Sequence, residues 1–400
     1  MDVCSNFFKQ IFTGGISYKR PVLTCDSRNW EKDARERLPK DSIGYVCGSA
    51  GTCETYNKNL EAFKKWSILP SRLVKSEVDY PLTETEIFGK KYKYPVGLAP
   101  IGVQTIFNPQ GELGAAAGAK ETEVPFLMST ASSHSIEEVA QANGNGDRWY
   151  QLYWPTNENN DITASILQRA KSSGFRVLVV TLDTYTLGWR PSDLDNAYNP
   201  FVHPDSTGCA IGFSDPVFRK SFKDEHGVEV EDKLQAAALR WTRTAFPGIN
   251  HSWEDLKFLK KHWDGPIVLK GIQTVGDAKK ALEFGISGII VSNHGGRQQD
   301  GGIGSLKVLP RIVETVGDKL TVMFDSGIRG GADIVKALAL GAKMVFIGRP
   351  YVYGLALGGK DGVVHVVKCL LSEFALTLHL SGIPSASKHI LNKDVLEYEG

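Results

Sequence analysis

The chain has 400 residues, enough for one large domain or two ordinary ones, and 42% of them are apolar, an ordinary share for a globular protein. A formal net charge of +1 gives no reason to expect nucleic acid or an anionic membrane as partner, and no apolar run reads as long enough to span a bilayer. Six cysteines in so long a chain do not make a disulfide framework, and Cys47 and Cys53 lack the spacing of a metal knuckle, so reduced thiols, no metal site and a cytoplasmic location are expected.

Residues 1–85 read as a mostly helical extension. The stretch Met1 to Gly15 lacks the apolar core of a secretory signal, and Glu397 to Gly400 carries no peroxisomal or retention tripeptide. Asp26-Ser27-Arg28-Asn29 starts a helix that runs from Trp30 to Leu38 and stops at Pro39. Ile43 to Gly51 is a short apolar piece ending in small residues, and Glu54 to Trp66 reads as a second helix. Short strands are expected near Val74–Val78 and Thr85–Phe88, closing one end of the next domain.

From about residue 94 short apolar runs alternate with segments of helical spacing. The runs are Pro95–Ala99, Phe126–Ser129, Tyr150–Tyr153, Val177–Leu182, Ile267–Lys270, Gly288–Ser292, Leu320–Asp325 and Met344–Ile347. Strand then helix, repeated about eight times over roughly 250 residues, predicts an α/β fold of the (β/α)8 TIM-barrel kind. A doubly wound open sheet is the alternative. The barrel is preferred because polar residues end nearly every run, and in a barrel those ends converge on one face. The barrel domain is set at 86–375 and a C-terminal tail at 376–400. One insertion, 191–250, breaks the rhythm after the fourth run. Its length suggests a lid, with an oligomer contact or a mobile loop left open.

The strand ends carry the chemistry. In order they offer Ala99-Pro100-Ile101-Gly102, then Ser129, then Gln151 and Tyr153, then Thr181 and Asp183 with Arg190 beyond. Lys270 ends the fifth run. Ser292-Asn293-His294-Gly295-Gly296-Arg297-Gln298-Gln299-Asp300-Gly301 follows the sixth, Asp325-Ser326-Gly327-Ile328-Arg329-Gly330-Gly331 the seventh and Gly348-Arg349-Pro350 the eighth. Glycines let a flat ligand approach the backbone, His takes a proton near neutral pH, and Arg grips a carboxylate with a two-pronged fork. Buried Lys, Asp and His are costly unless paired or liganded, so the set as a whole points to a site. The glycine-rich turns after the seventh and eighth runs, each leading into a helix N-terminus, suit a phosphate. Neither a P-loop nor a Rossmann glycine fingerprint is present.

SNHGGRQQDG, with LKGI before it and DSGIRGGADIVKALALGA after it, resembles the FMN-dependent L-2-hydroxy acid oxidase and dehydrogenase family, over a span from about Trp30 to about Phe374. The resemblance implies a TIM barrel holding FMN. It implies that His294 is the active-site base and Asp183 the carboxylate that orients it. Arg190 and Arg297 would clamp the substrate carboxylate, Tyr45 would touch it, and Tyr153 would lie near the substrate hydroxyl. Lys270 would sit at the flavin edge where negative charge gathers. Ala99, Pro100, Ile101, Ser129, Gln151 and Thr181 would contact the ring and Ser292 the flavin tail. Asp325 and Gly327 would meet the ribityl region, and Arg329, Gly348 and Arg349 the phosphate.

Two departures qualify the match. Ser326 stands where several members have glycine, and a small residue, near Ala131, stands where glycolate-oxidase-like members carry Trp. The latter resembles the lactate-oxidising branch, as do the segments around Tyr153 and Trp189-Arg190 and the long insertion. The activity implied by the resemblance is oxidation of a short L-2-hydroxy acid, L-lactate first among them, through FMN with O₂ as acceptor, in a homotetramer. If keto acid and peroxide are kept together the outcome is that of a lactate monooxygenase; if they escape, that of an oxidase. A phosphate-binding barrel enzyme without flavin and a non-catalytic binder are the alternatives.

Overall fold

The computed structural model describes residues 6–75, 80–203 and 205–400. The apolar runs become eight parallel strands: Val96–Leu98, Phe126–Ser129, Arg148–Leu152, Val177–Thr181, Ile267–Ile272, Gly288–Val291, Thr321–Asp325 and Val345–Ile347. Each pairs with the next in chain order, and the eighth returns to the first through Val345↔Val96, Phe346↔Gly97 and Ile347↔Leu98. The sheet therefore closes into a TIM barrel, and the open-sheet alternative is excluded.

In a closed barrel one set of side chains fills the interior and the other faces the helices. Here the interior is packed with Leu127, Trp149, Val177, Val179, Val268, Ile290, Met323 and Phe346, leaving no pore. A hairpin of Thr85–Ile87 against Lys90–Tyr92 seals the lower end, placing Ile87 and Tyr92 against that core. Asp147 ties this plug down by accepting from Lys90 Nζ at 2.6 Å, Tyr92 Oη at 2.5 Å and Trp149 Nε1 at 2.8 Å. The opposite end, where the polar residues gather, is the one left free for a ligand. The strand expected near Thr85 is present, whereas most of the one expected at Val74–Val78 lies outside the described residues.

The intervening helices start where side chains can satisfy free N–H groups. Ser135 and Glu138 form a capping box ahead of Ile136–Asn143, and Thr274 accepts from Asp277 N ahead of Val275–Glu283. The final helical segment, Arg349–Leu380, spans 32 residues with a break in helical geometry at Gly358 and Gly359, and by length and composition alone it passes as able to cross a membrane, against the expectation that no run reaches that length. Leu355, Val366, Leu370 and Phe374 are buried where it lies against Gly111–Glu121, Gly331–Ala339 and Ser27–Arg37. It runs through the boundary drawn at residue 375, and beyond it Leu396–Tyr398 pairs antiparallel with Trp66–Ile68. The last residues thus join the extension to the barrel.

In the extension, Phe7–Ile16, Ser27–Arg37, Lys40–Cys47 and Glu54–Lys64 are helices. The sequence pattern marks neither the first nor the third as a helix; it shows the third only as a short apolar piece. The insertion is likewise ordered, as Pro191–Asp195, Ala210–Phe213, Pro216–His226 and Leu234–Ala245. Phe218, Phe222 and Trp241 are buried within it, and the Phe218 and Trp241 rings meet edge-on at 5.3 Å.

Candidate active site

The sixth strand ends at Val291, and the chain then turns sharply through His294, Gly295 and Gly296, with φ of 59°, 66° and 75°. This is the left-handed region that costs a histidine free energy but a glycine almost none. At Gly296 there is also no room, since a Cβ would lie 2.6 Å from Tyr56 N. Asn293 steadies the turn by accepting from Gly296 N at 3.1 Å while bonding Asn59 at 2.8 Å. The strain is spent on aiming the imidazole.

His294 Nδ1 lies 2.8 Å from Asp183 Oδ1 and 3.1 Å from Thr184 Oγ1. An Nδ1–H donated to the carboxylate fixes the tautomer and leaves Nε2 as an acceptor. Thr184 donates to the same Asp183 oxygen at 2.9 Å. Burial lowers the His294 pKa from its ordinary value, and the Lys270 and Arg190 cations add to that against the pull of Asp183. Burial alone would raise Asp183; the His294 and Lys270 groups outweigh it and hold its carboxyl at about 2. The resting pair is a neutral imidazole on an ionised carboxylate.

Two guanidinium groups flank this pair. Arg190, 5% exposed, donates from Nε to Arg297 O at 3.1 Å and from Nη2 to Gln298 Oε1. Arg297 donates to Tyr45 O and, at 2.8 Å, to Gly48 O. Burial and then Arg190 push the Arg297 guanidinium down to about 9, so it stays charged at neutral pH. The Tyr45 ring lies 4.9 Å from one guanidinium and 5.9 Å from the other. Asp193 is 3.9 Å from Arg190, too far for a hydrogen bond. Like charges held this close favour an anionic ligand.

Lys270 ends the fifth apolar run and is 4% exposed. Its Nζ meets Ser292 Oγ at 3.0 Å and Asp325 Oδ2 at 3.3 Å. Burial works against its charge, but Asp325 and Asp183 together raise its pKa. The strand bulges between Lys270 and Ile272, where Gly271 has φ of 103° and a Cβ would press on Asp183 at 3.0 Å. The bulge lets the lysine and the histidine's carboxylate share one rim.

These groups border a cavity above the barrel. Its wall includes Tyr45, Tyr153, Arg190, Lys270, His294 and Arg297, together with Ala99, Pro100, Ile101, Asp325, Gly327, Arg329, Gly348 and Arg349. Ser129, Gln151, Thr181, Asp183 and Ser292 are not in the wall; Asp183 and Ser292 support it through His294 and Lys270. Burial pushes the Tyr153 phenol far above its usual range, so it is a neutral donor.

Comparison with known proteins places this geometry. Residues 34–396 match the family model described as FMN-dependent dehydrogenase. The chain belongs to that family. An FMN-dependent alpha-hydroxy acid dehydrogenase of Schizosaccharomyces pombe is 61% identical over 98% of this chain and 96% of its own. An L-lactate oxidase of Lysinibacillus sphaericus is 41% identical over 92% of each. A solved structure described as a lactate oxidase of Pediococcus acidilactici superposes with a TM-score of 0.80 at 32% identity, covering 95% of this chain and 96% of that one.

The residues present suit FMN. Gln151 Nε2 and Arg329 Nη2 are buried donors without a protein partner among the described residues, as a ring carbonyl and a phosphate would require. Gly348 brings bare backbone to the cavity wall, where a Cβ would stand in van der Waals contact with Ile101 Cδ1 at 3.6 Å. The Arg349 side chain lines the same cavity and also donates to Val46 O at 2.9 Å, Gly295 O at 3.0 Å and Gly48 O at 3.1 Å, so it braces the extension over the site.

Several contributors stand outside the residues that the sequence pattern marks. Thr184 adjoins Asp183 and is legible as its neighbour. Gln298, inside the motif itself, positions Arg190. Phe107, Phe201 and Phe246 form an apolar wall, and nothing in their local sequence marks them, because three separate segments bring them together.

Proposed function

We propose that this FMN-dependent enzyme oxidises a short L-2-hydroxy acid, L-lactate being the first candidate, and passes the electrons to O₂. The reading rests on the 2.8 Å His294–Asp183 pair opening beside Arg190 and Arg297. On this reading Arg190 and Arg297 hold the substrate carboxylate with Tyr45 between them. Tyr153 orients the hydroxyl. His294 Nε2 accepts the hydroxyl proton or the α-proton, and Asp183 stabilises the imidazolium that forms. Ala99, Ile101 and Gly348 would hold FMN, which would supply the two-electron acceptor, and Lys270 would present a cation that favours negative charge on it.

A lactate monooxygenase outcome is supported by the ordered insertion at the cavity mouth and by Ala131 in the wall. If the products stay together, lactate and O₂ yield acetate, CO₂ and water; if they part, pyruvate and H₂O₂ leave. The L-lactate oxidase relative supports the second outcome equally well. A homotetramer, supported by the family resemblance, and a cytoplasmic setting, supported by the free thiols of Cys25, Cys47, Cys53, Cys209 and Cys369, complete the proposal.

The test is anaerobic addition of L-lactate to the yellow protein. Bleaching is expected in the wild type, and His294→Gln should stay yellow without bleaching. Equal bleaching in both would remove the base role. Product analysis with catalase present then separates acetate from pyruvate.

A further inference from the structure

Outside the cavity, where the extension meets the last helix, three ligating side chains converge. His365 and Cys369 are four residues apart in the helix Arg349–Leu380 and so share one face. Cys25 comes from the loop ahead of the helix Ser27–Arg37. The two sulfurs and an imidazole nitrogen all lie within 4.8 Å of one another. Cys369 Sγ is 3.4 Å from His365 Nε2. We propose that Cys25, His365 and Cys369 form a site for one thiophilic divalent cation of the zinc type.

The spacing is what such an ion needs. Bonds of about 2.3 Å to sulfur and about 2.0 Å to nitrogen at a tetrahedral angle set S and N about 3.6 Å apart. Two thiolates neutralise the ion, which suits a partly buried place, and the imidazole adds no charge. The loop holding Cys25 is pinned where Thr24 O accepts from Trp30 Nε1 at 2.8 Å; Thr24 O also accepts from His365 Nε2 at 3.2 Å, a bond the imidazole gives up when that nitrogen takes the ion. His365 is 3% exposed and packs edge-on against Phe7 at 5.5 Å. Cys25 is exposed, so the fourth position opens to water. A cavity bordered by Phe7, Ile11, His365 and Lys368 reaches the imidazole. Lys368 is the cation that opposes binding, and Glu373 is the anion facing Cys369. A bound ion would tie the extension to the barrel's last helix.

The test uses the reduced, FMN-loaded full chain, stripped with chelator and desalted. One equivalent of Zn²⁺ should be retained at about one per chain and should raise the melting temperature. Cys25→Ser, at an exposed position that leaves the fold intact, should weaken retention at least about tenfold. Cys53→Ser should not, and substrate bleaching of the flavin should be unchanged in all of them. Failure of the wild type to retain zinc, retention undiminished by Cys25→Ser, or a Cys25–Cys369 disulfide that forms in preference to zinc binding would each overturn the proposal.

Discussion

A base must be free of its proton before it can take one, and burial holds His294 in that form. With its folded pKa below the ordinary value, the unfolded chain binds more protons between that pKa and about 6.5. Stability therefore rises with pH across the interval and is lost as pH falls through it. Asp183 adds a second loss, below the ordinary carboxylate range and down to about 2. The same sign governs activity: the acid limb of kcat/KM should have its midpoint below about 6.5. A midpoint above that value, in a pH series on L-lactate, would contradict a neutral resting imidazole. Ser326 makes a separate case. Its φ is 84°, a glycine conformation, yet its Oγ donates to Asp325 at 2.8 Å and accepts from Gly295 N at 3.0 Å. Strain and hydrogen bonds are each worth about 1–2 kcal/mol. Ser326→Ala keeps the strain and loses the bonds, so denaturant melts should show it destabilised by about 1–2 kcal/mol. Ser326→Gly loses both and should lie within about 1 kcal/mol of wild type.

At the scale of elements, the insertion reaches the site through aromatic contacts. Phe246 packs on Tyr153 at 4.9 Å and on Phe201 at 5.1 Å, and all three line the cavity. Truncation at Phe246 opens the mouth without touching His294 or the arginines. Phe246→Ala should raise the KM for L-lactate several-fold and increase the H₂O₂ released per substrate consumed, measured with a peroxidase-coupled dye. An unchanged peroxide yield would show that the insertion does not govern product escape. The extension acts in the same way from the other side. Asp300 accepts from Thr52 N at 2.7 Å and Thr55 N at 2.9 Å, and with Arg349 it holds Lys40–Cys47, and therefore Tyr45, above the arginines.

For the whole molecule, closure of the barrel gathers the site, and the chain ends reinforce it. Leu396–Tyr398 pairs with Trp66–Ile68, Leu396 is buried, and the Tyr398 and Trp66 rings lie 4.8 Å apart. Removal of residues 394–400 should cost about 2 kcal/mol, by the apolar area re-exposed, and lower the thermal midpoint while leaving the flavin spectrum unchanged. Loss of FMN on truncation would instead show that the tail supports the cavity directly.

Strand and helix positions in the barrel are legible in the sequence because period and punctuation are local properties: Phe126–Ser129 and Ser305–Val316 fall where alternation and glycine place them. The chemistry is legible too, because a His, a Lys or an Arg at the end of a buried run is costly without a partner. Which helix carries Tyr45 is not, since Lys40–Cys47 is short and held by packing more than by its own propensity. Nor is the engagement of Arg349 with carbonyls 301 and 303 residues away, or the meeting of Cys25 with His365 and Cys369. Contacts between segments so distant depend on how the barrel closes and where the extension lies across it. That is decided by the burial of the whole core, and no local stretch of the sequence records it.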